Sequence, residues 1–201
     1  MSSLQVPYYS PEQYLALERA ALTKSEYLDG KIYPMDGTLL GMAGASERHN
    51  LIVANLVGEL RAAVKGRLCR TYPSDMKVEV GPNGLFAYPD VSVVCGQPRF
   101  HDDVRDMLLN PTLIVEVLSS STEAYDRGAK FAQYRKISSL TDVLFVSTDA
   151  TRVEHFARQA NGQWLLSDVS DIQRAVEIHS IHCSLAMSEI YALVEFEASE
   201  T

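Results

Sequence analysis

The sequence predicts a mixed α/β domain, a central mixed β-sheet flanked by helices. Segments with helical and with strand periodicity follow one another in the order helix, strands, helix, strand. The chain has 201 residues and is 46% hydrophobic, enough for one compact domain with a substantial core. No repeat, low-complexity tract or linker interrupts the pattern, so residues 1–201 are expected to form a single domain with a core from about Tyr14 to Phe196.

Ser10-Pro11-Glu12-Gln13 reads as a capping box with proline in the first turn, starting a helix that runs to about Leu22. Glu26 to Met35 reads as a hairpin turning at Asp29-Gly30. A third strand is expected over Thr38 to Met42. Ser46 begins a longer helix, with Ile52, Val53, Leu56, Leu60 and Val64 at helical spacing and Gly66 as its stop. Strands are predicted at Leu68–Tyr72, Met76–Val80 and Phe86–Val94, then a polar loop over Gly96–Asn110. A strand at Leu113 and a helix over about Thr122–Lys136 follow, then a strand at Asp142–Ser147. Val153–Ala157 and Trp164–Ser167 form a hairpin around Asn161-Gly162. A strand over Ala175–Ile178 and a helix over Ser188–Phe196 complete the chain.

Composition removes several function classes. No apolar stretch is long enough to span a membrane, and the N-terminus lacks the basic-then-apolar order of a signal peptide. Cys69, Cys95 and Cys183 are odd in number, far apart and without CxxC spacing, so free thiols in a reducing cytoplasm are expected rather than a disulfide or zinc site. The formal net charge of −8 argues against a protein that coats DNA. It leaves room for a nuclease, because a metal and local basic groups can offset global acidity. There is no glycine-rich phosphate loop, no GxGxxG and no GxSxG elbow.

The chemistry concentrates in two acidic residues on apolar runs. Asp90 follows Tyr88-Pro89 and precedes Val91-Ser92-Val93-Val94, while Glu116 sits among Ile114, Val115, Val117 and Leu118. A buried carboxylate is costly unless it is paired or bound to a cation, and two on neighbouring strands suggest a shared divalent metal. The alternatives are a turn aspartate at Asp90 and a structural salt bridge to arginine at Glu116. Lys130, fourteen residues after Glu116, shares a helix face with Asp126 and Tyr134. The plain alternative is an exposed ion pair, but Phe131 and Ala132 flank Lys130, which is expected to be partly buried if that stripe packs on the sheet. His49, Asp75 and Glu26 are accessory candidates; His49 lies in the first turn of the Ser46 helix, where a capping or core role competes. His179, His182 and Cys183 fall near one strand end without a distant fourth ligand and read as structural.

Five ordered segments carry a family resemblance: Glu26-Tyr27-Leu28-Asp29-Gly30, Ala45 to Asn50, Tyr88-Pro89-Asp90-Val91, Pro111 to Ser119, and Tyr125 to Phe131. Through them the chain resembles the Uma-two-type "putative restriction endonuclease" family of the PD-(D/E)XK nuclease superfamily. The resemblance implies a restriction-endonuclease-like fold and a DNA endonuclease using magnesium, with manganese as a substitute. It implies that Asp90 and Glu116 bind the metal. The superfamily signature expects lysine two residues after the second acid, where this chain has Leu118; the family branch offers Lys130 from the next helix instead. The competing readings are a non-catalytic domain of the same fold that binds nucleic acid or protein, and a small-molecule hydrolase. A homodimer is also expected, because a two-fold axis matches duplex DNA, with Ile190, Leu193 and Val194 supplying an amphipathic contact.

Overall fold

The computed structural model describes residues 7–35, 45–81 and 84–196. Helix α1 (Pro11–Ala20) starts on Ser10, whose hydroxyl accepts the Gln13 N–H while Gln13 Oε1 accepts the Ser10 N–H. Strands β1 (Ser25–Leu28) and β2 (Lys31–Pro34) form the expected hairpin. Asp29 and Gly30 take φ of 46° and 82°, the pair of positive values that a tight two-residue hairpin turn demands. The strand expected over Thr38–Met42 lies outside the described residues.

Helix α2 (Glu47–Ala63) is capped by Ser46 and followed by β3 (Cys69–Pro73) and β4 (Lys77–Val80). The single strand expected over Phe86–Val94 is two strands in two sheets, β5 (Leu85–Ala87) and β6 (Val91–Cys95). Proline has no N–H for a ladder, so Pro89 falls in the crossover between them. The polar loop holds a short β7 (Met107–Leu108), and β8 (Leu113–Leu118) follows. Three consecutive helical stretches come next: α3 (Glu123–Tyr125), a π-helical stretch Asp126–Lys130, and α4 (Phe131–Tyr134). Then come β9 (Asp142–Ser147), β10 (Val153–Arg158), β11 (Trp164–Val169), β12 (Ala175–Ile178), β13 (Cys183–Ala186) and α5 (Met187–Ile190).

The strands form a five-stranded sheet (β2-β1-β5-β4-β7), a six-stranded sheet (β11-β10-β9-β8-β6-β3) and a β12-β13 pair. Both larger sheets are mixed: β8–β9 and β4–β7 are parallel, and their other pairs are antiparallel. Strand alternation sorts the core onto the two faces of the six-stranded sheet. Val91, Val93, Val115 and Val117 pack with Ile52, Leu56 and Leu60 of α2. Ile114, Leu118 and Phe145 pack with Phe131 and Tyr134 of α4 and with β4 and β5. Glu116 shares the second face, and that choice places the site.

Two expectations need correction. Cys69 and Cys95 form a disulfide, and only Cys183 is a free, buried thiol. They are 26 residues apart in sequence, and the antiparallel register of β3 on β6 sets them directly opposite each other. Free thiols therefore no longer argue for a reducing compartment at two of the three cysteines. The C-terminal helix stops at Ile190, and Leu193 takes φ 62°, which breaks a right-handed helix. Ile190 and Val194 pack into the α2 side of the core, leaving Leu193 alone exposed, so this segment offers no amphipathic dimer face. Among the described residues no helix is long and apolar enough to cross a membrane.

Candidate active site

The register of β6 on β8 pairs Val91 with Val115, and one further step sets Asp90 beside Glu116. Asp90 Oδ2 accepts the Val117 N–H at 2.7 Å, which ties the sheet crossover to the end of β8. Its Oδ1 lies 3.4 Å from His49 Nε2 in the first turn of α2. Burial disfavours the charged imidazole, yet the hydrogen bond and charge of Asp90 outweigh it, and the His49 pKa is raised. His49 Nδ1 is buried without a hydrogen-bond partner.

Glu116 is 3% exposed. Its Oε1 accepts the Tyr134 hydroxyl at 2.7 Å and lies 3.0 Å from Lys130 Nζ. The cation beside Glu116 is therefore the helix lysine, not an arginine. The same ammonium lies 3.1 Å from Glu26 Oε1 and 3.4 Å from Asp126 Oδ1. Glu26 also accepts the Tyr88 N–H and the Tyr125 hydroxyl, each at 3.1 Å, which joins the five-stranded sheet to the helical layer. The π-helical stretch ends on Lys130. Wide helical turns of this kind are frequent at functional sites, where they re-aim side chains.

Charge does not balance here. Three buried carboxylates (Glu26, Glu116 and Asp126) stand around one lysine, a formal −2 if all three ionise, and Asp90 adds its charge beside Glu116. Burial raises the Glu116 pKa well above the carboxylate range; Lys130 opposes this, and the charges of Asp126 and Asp90 add to it. Burial works against the Lys130 ammonium, but Glu116 and Glu26 hold it firmly protonated. Glu26, His49, Asp90, Glu116, Asp126 and Lys130 all line a cleft of 740 Å³. Ser119, Ser120, Ser121 and Thr122 form a hydroxyl-rich part of its wall.

The sequence of the chain matches the Uma2 family, described as "Putative restriction endonuclease", over residues 11–188. The chain belongs to this family. Two uncharacterized proteins of Synechocystis sp. (strain ATCC 27184 / PCC 6803 / Kazusa) are similar to it. One is 34% identical over 165 residues, covering 82% of this chain and 89% of that protein. The other is 36% identical over 194 residues, covering 96% and 97%. The fold is similar to the crystal structure of a "putative nuclease belonging to DUF820" from Anabaena variabilis ATCC 29413. The TM-score is 0.73 and the identity 17%, over 92% of this chain and 99% of that one. The family description points to a nuclease-type function.

Of the residues singled out in the sequence, the fold brings Asp90, Glu116, Lys130, Glu26 and His49 to one cleft. Asp75 lies outside it, exposed and ion-paired with Lys24. Lys77 is buried beneath the Tyr88 ring, 3.6 Å from Asp106, and does not line the cleft. Leu118, where the superfamily signature has lysine, is 3% exposed in the apolar core. Tyr125 and the Tyr88 backbone escaped the sequence reading, because neither repeats at a period that marks a site. Among the described residues no group of three or more His, Cys, Asp or Glu side chains is placed to hold a metal.

Proposed function

We propose that this Uma2-family protein is a divalent-metal-dependent phosphodiester hydrolase that cuts DNA. The observation that carries the reading is the surplus of buried carboxylate over cation around Lys130. A magnesium ion commonly takes one or two carboxylates and leaves its other positions to water and phosphate oxygen. Asp90 and Glu116 would hold the ion, and manganese, with similar demands, would substitute.

When bound, the metal would polarise the scissile phosphate and lower the pKa of an attacking water. The chain's own groups supply the rest. Glu26 and Asp126 hold the Lys130 ammonium beside Glu116, so positive charge stands ready where charge develops on the phosphate. Tyr134 fixes Glu116 Oε1 with a hydrogen bond. The Val117 N–H and His49 orient Asp90. A two-fold dimer would match the symmetry of duplex DNA, and light scattering at a monomer mass would contradict that part alone.

The test is cleavage of supercoiled plasmid by purified protein. Nicking or cutting should require magnesium or manganese and stop in EDTA. Asp90→Ala and Glu116→Ala should each lower the rate by several kcal/mol of lost stabilisation, on the order of 10³-fold. Equal cleavage by wild type and both variants would expose a contaminant. DNA binding without cleavage on varied substrates would instead favour a non-catalytic module.

A further inference from the structure

The last turns of α2 and the start of β3 enclose a second cavity of 640 Å³, lined by Arg61, Lys65, Arg67 and Arg70 and by no carboxylate. The chain as a whole is −8 and has 18 basic residues, so four of them on one acid-free wall is a local reversal of sign. Helix polarity alone accounts for part of this, since cations favour a helix C-terminus. Arg67 donates to the Ile181 and His182 carbonyls, and Arg70 to the Gly96 carbonyl. Those partners are neutral, so they orient the guanidinium groups and leave the charge unspent. Arg61, in the last turn of α2, and Lys65, in the turn just past it, are exposed and have no ion-pair partner among the described residues. Like charges lining one cavity repel, and an anion between them relieves that repulsion. The Thr71 hydroxyl, which also lines the cavity, is buried without a hydrogen-bond partner.

The surface between this groove and the catalytic cleft is shaped to let a large partner pass. Asn50 and Val53 line the cleft, and Gly58, Arg61, Ala62 and Lys65 line the groove. Positions four apart share a helix side, so Asn50, Ala54, Gly58 and Ala62 form one ridge and Val53, Val57 and Arg61 the next. The first ridge is exposed throughout and small beyond Asn50, and a side chain added at Gly58 would meet nothing within 4 Å. From His49 to Arg61 the helix rises about 18 Å at about 1.5 Å per residue. That is roughly five base steps of duplex at about 3.4 Å per step.

We propose that the groove at the C-terminal end of α2 binds the phosphodiester backbone of the same DNA that enters the cleft, about five steps away from the cut. It rests on the nuclease reading for the occupant of the cleft, and its test does not need cleavage. Binding of fluorescein-labelled duplexes is measured by anisotropy in EDTA over a range of NaCl. Arg61→Ala with Lys65→Ala should reduce the slope of log K against log salt by about 0.9 per cation, about 1.8 for the pair. A duplex of about 20 base pairs should feel this change, and one of about 4 should not. Gly58→Glu places a carboxylate in open groove space in a residue type that favours helix, so it should weaken binding of the long duplex without loss of fold. An unchanged slope in the folded double variant overturns the proposal. So does equal loss on both duplex lengths, or displacement of the long duplex by millimolar inorganic phosphate, which would assign the groove to a free anion. A groove-dependent slope in a protein that never cleaves would leave the groove standing and sink the nuclease reading; cleavage with an unchanged slope would do the reverse.

Discussion

Strands β8 and β9 lie side by side in parallel, and each carries a carboxylate that is 3% exposed: Glu116 near the end of β8 and Asp142 at the start of β9. Burial opposes ionisation at both. At Asp142, His155 Nε2 lies 2.7 Å from Oδ1, and Oδ2 accepts the Thr141 hydroxyl at 2.7 Å and the Ser180 hydroxyl. These donors outweigh the burial, and the Asp142 pKa falls below the usual aspartate range. At Glu116 burial prevails, because Asp126 and Asp90 add like charge that Lys130 and Tyr134 do not cancel. Equal exposure with opposite outcome shows how far matched donors can offset the cost of burial. A carboxylate with matched donors is architecture; one left under-compensated in a cleft is what the proposed cation site rests on.

The strongest way to break this contrast is Lys130→Met. It leaves Glu26, Glu116 and Asp126 without their ammonium, so stability in EDTA should fall by about 3–5 kcal/mol in urea unfolding. Cleavage should drop on the order of 10²–10³-fold. Added magnesium should stabilise this variant more than the wild type, because the ion then faces more uncompensated charge. A stability loss that ignores magnesium would mean that the surplus carboxylates do not recruit it.

Asp142→Ala strands the donors of His155, Ser180 and Thr141 and should cost about 1–3 kcal/mol. Here the loss should be the same with and without magnesium, and plasmid cleavage per folded molecule should be unchanged. A magnesium-dependent loss would erase the distinction between the two carboxylates.

The pH profiles should have opposite signs. The Asp142 pKa is depressed on folding, so its stabilisation is present above the ordinary aspartate value of about 3.9 and disappears as pH falls through the folded value. Asp142→Asn should therefore be destabilising at neutral pH and converge on wild type in acid. The Glu116 pKa is raised, so ionising it costs stability as pH climbs from about 4.3 toward the folded value. In EDTA, Glu116→Gln should gain on wild type over that rise. Urea midpoints across pH measure both, and parallel slopes would sink the comparison. The smallest effect calibrates the rest: Glu123→Ala removes a partly exposed i,i+4 pair with Arg127 and should cost only about 0.3–0.5 kcal/mol.

Much of the site was legible because its residues break local rules. Glu116 is an acid in an apolar strand, and Asp90 follows a proline at a strand boundary; both anomalies are visible without a fold. The i,i+4 relation of Asp126 and Lys130 was visible too, and the alternative of an exposed ion pair does not hold, since both side chains are buried. Glu26 carried only a weak signal. Its importance comes from β1, whose pairing with β5 sets it against Tyr88, and a pairing between residues 62 apart in sequence leaves no periodic trace. Asp75 shows the opposite case, an acid before a strand that the turn leaves in solvent.

The sequence by itself determined the elements that rest on local chemistry. The capping box at Ser10, the Asp29-Gly30 turn, the α2 stripe and the Asp142–Ser147 strand need only neighbours a few residues away. Tertiary structure alone decided what depends on register and on which sheet a strand joins. It split the run at Pro89 between two sheets, set Cys69 against Cys95, and ended the last helix at Ile190. It also gathered Glu26, Glu116 and Asp126 around a single lysine. The physical reason is that backbone propensity acts over a few residues, whereas the pairing of distant strands is settled by the burial and hydrogen bonds of the assembled core.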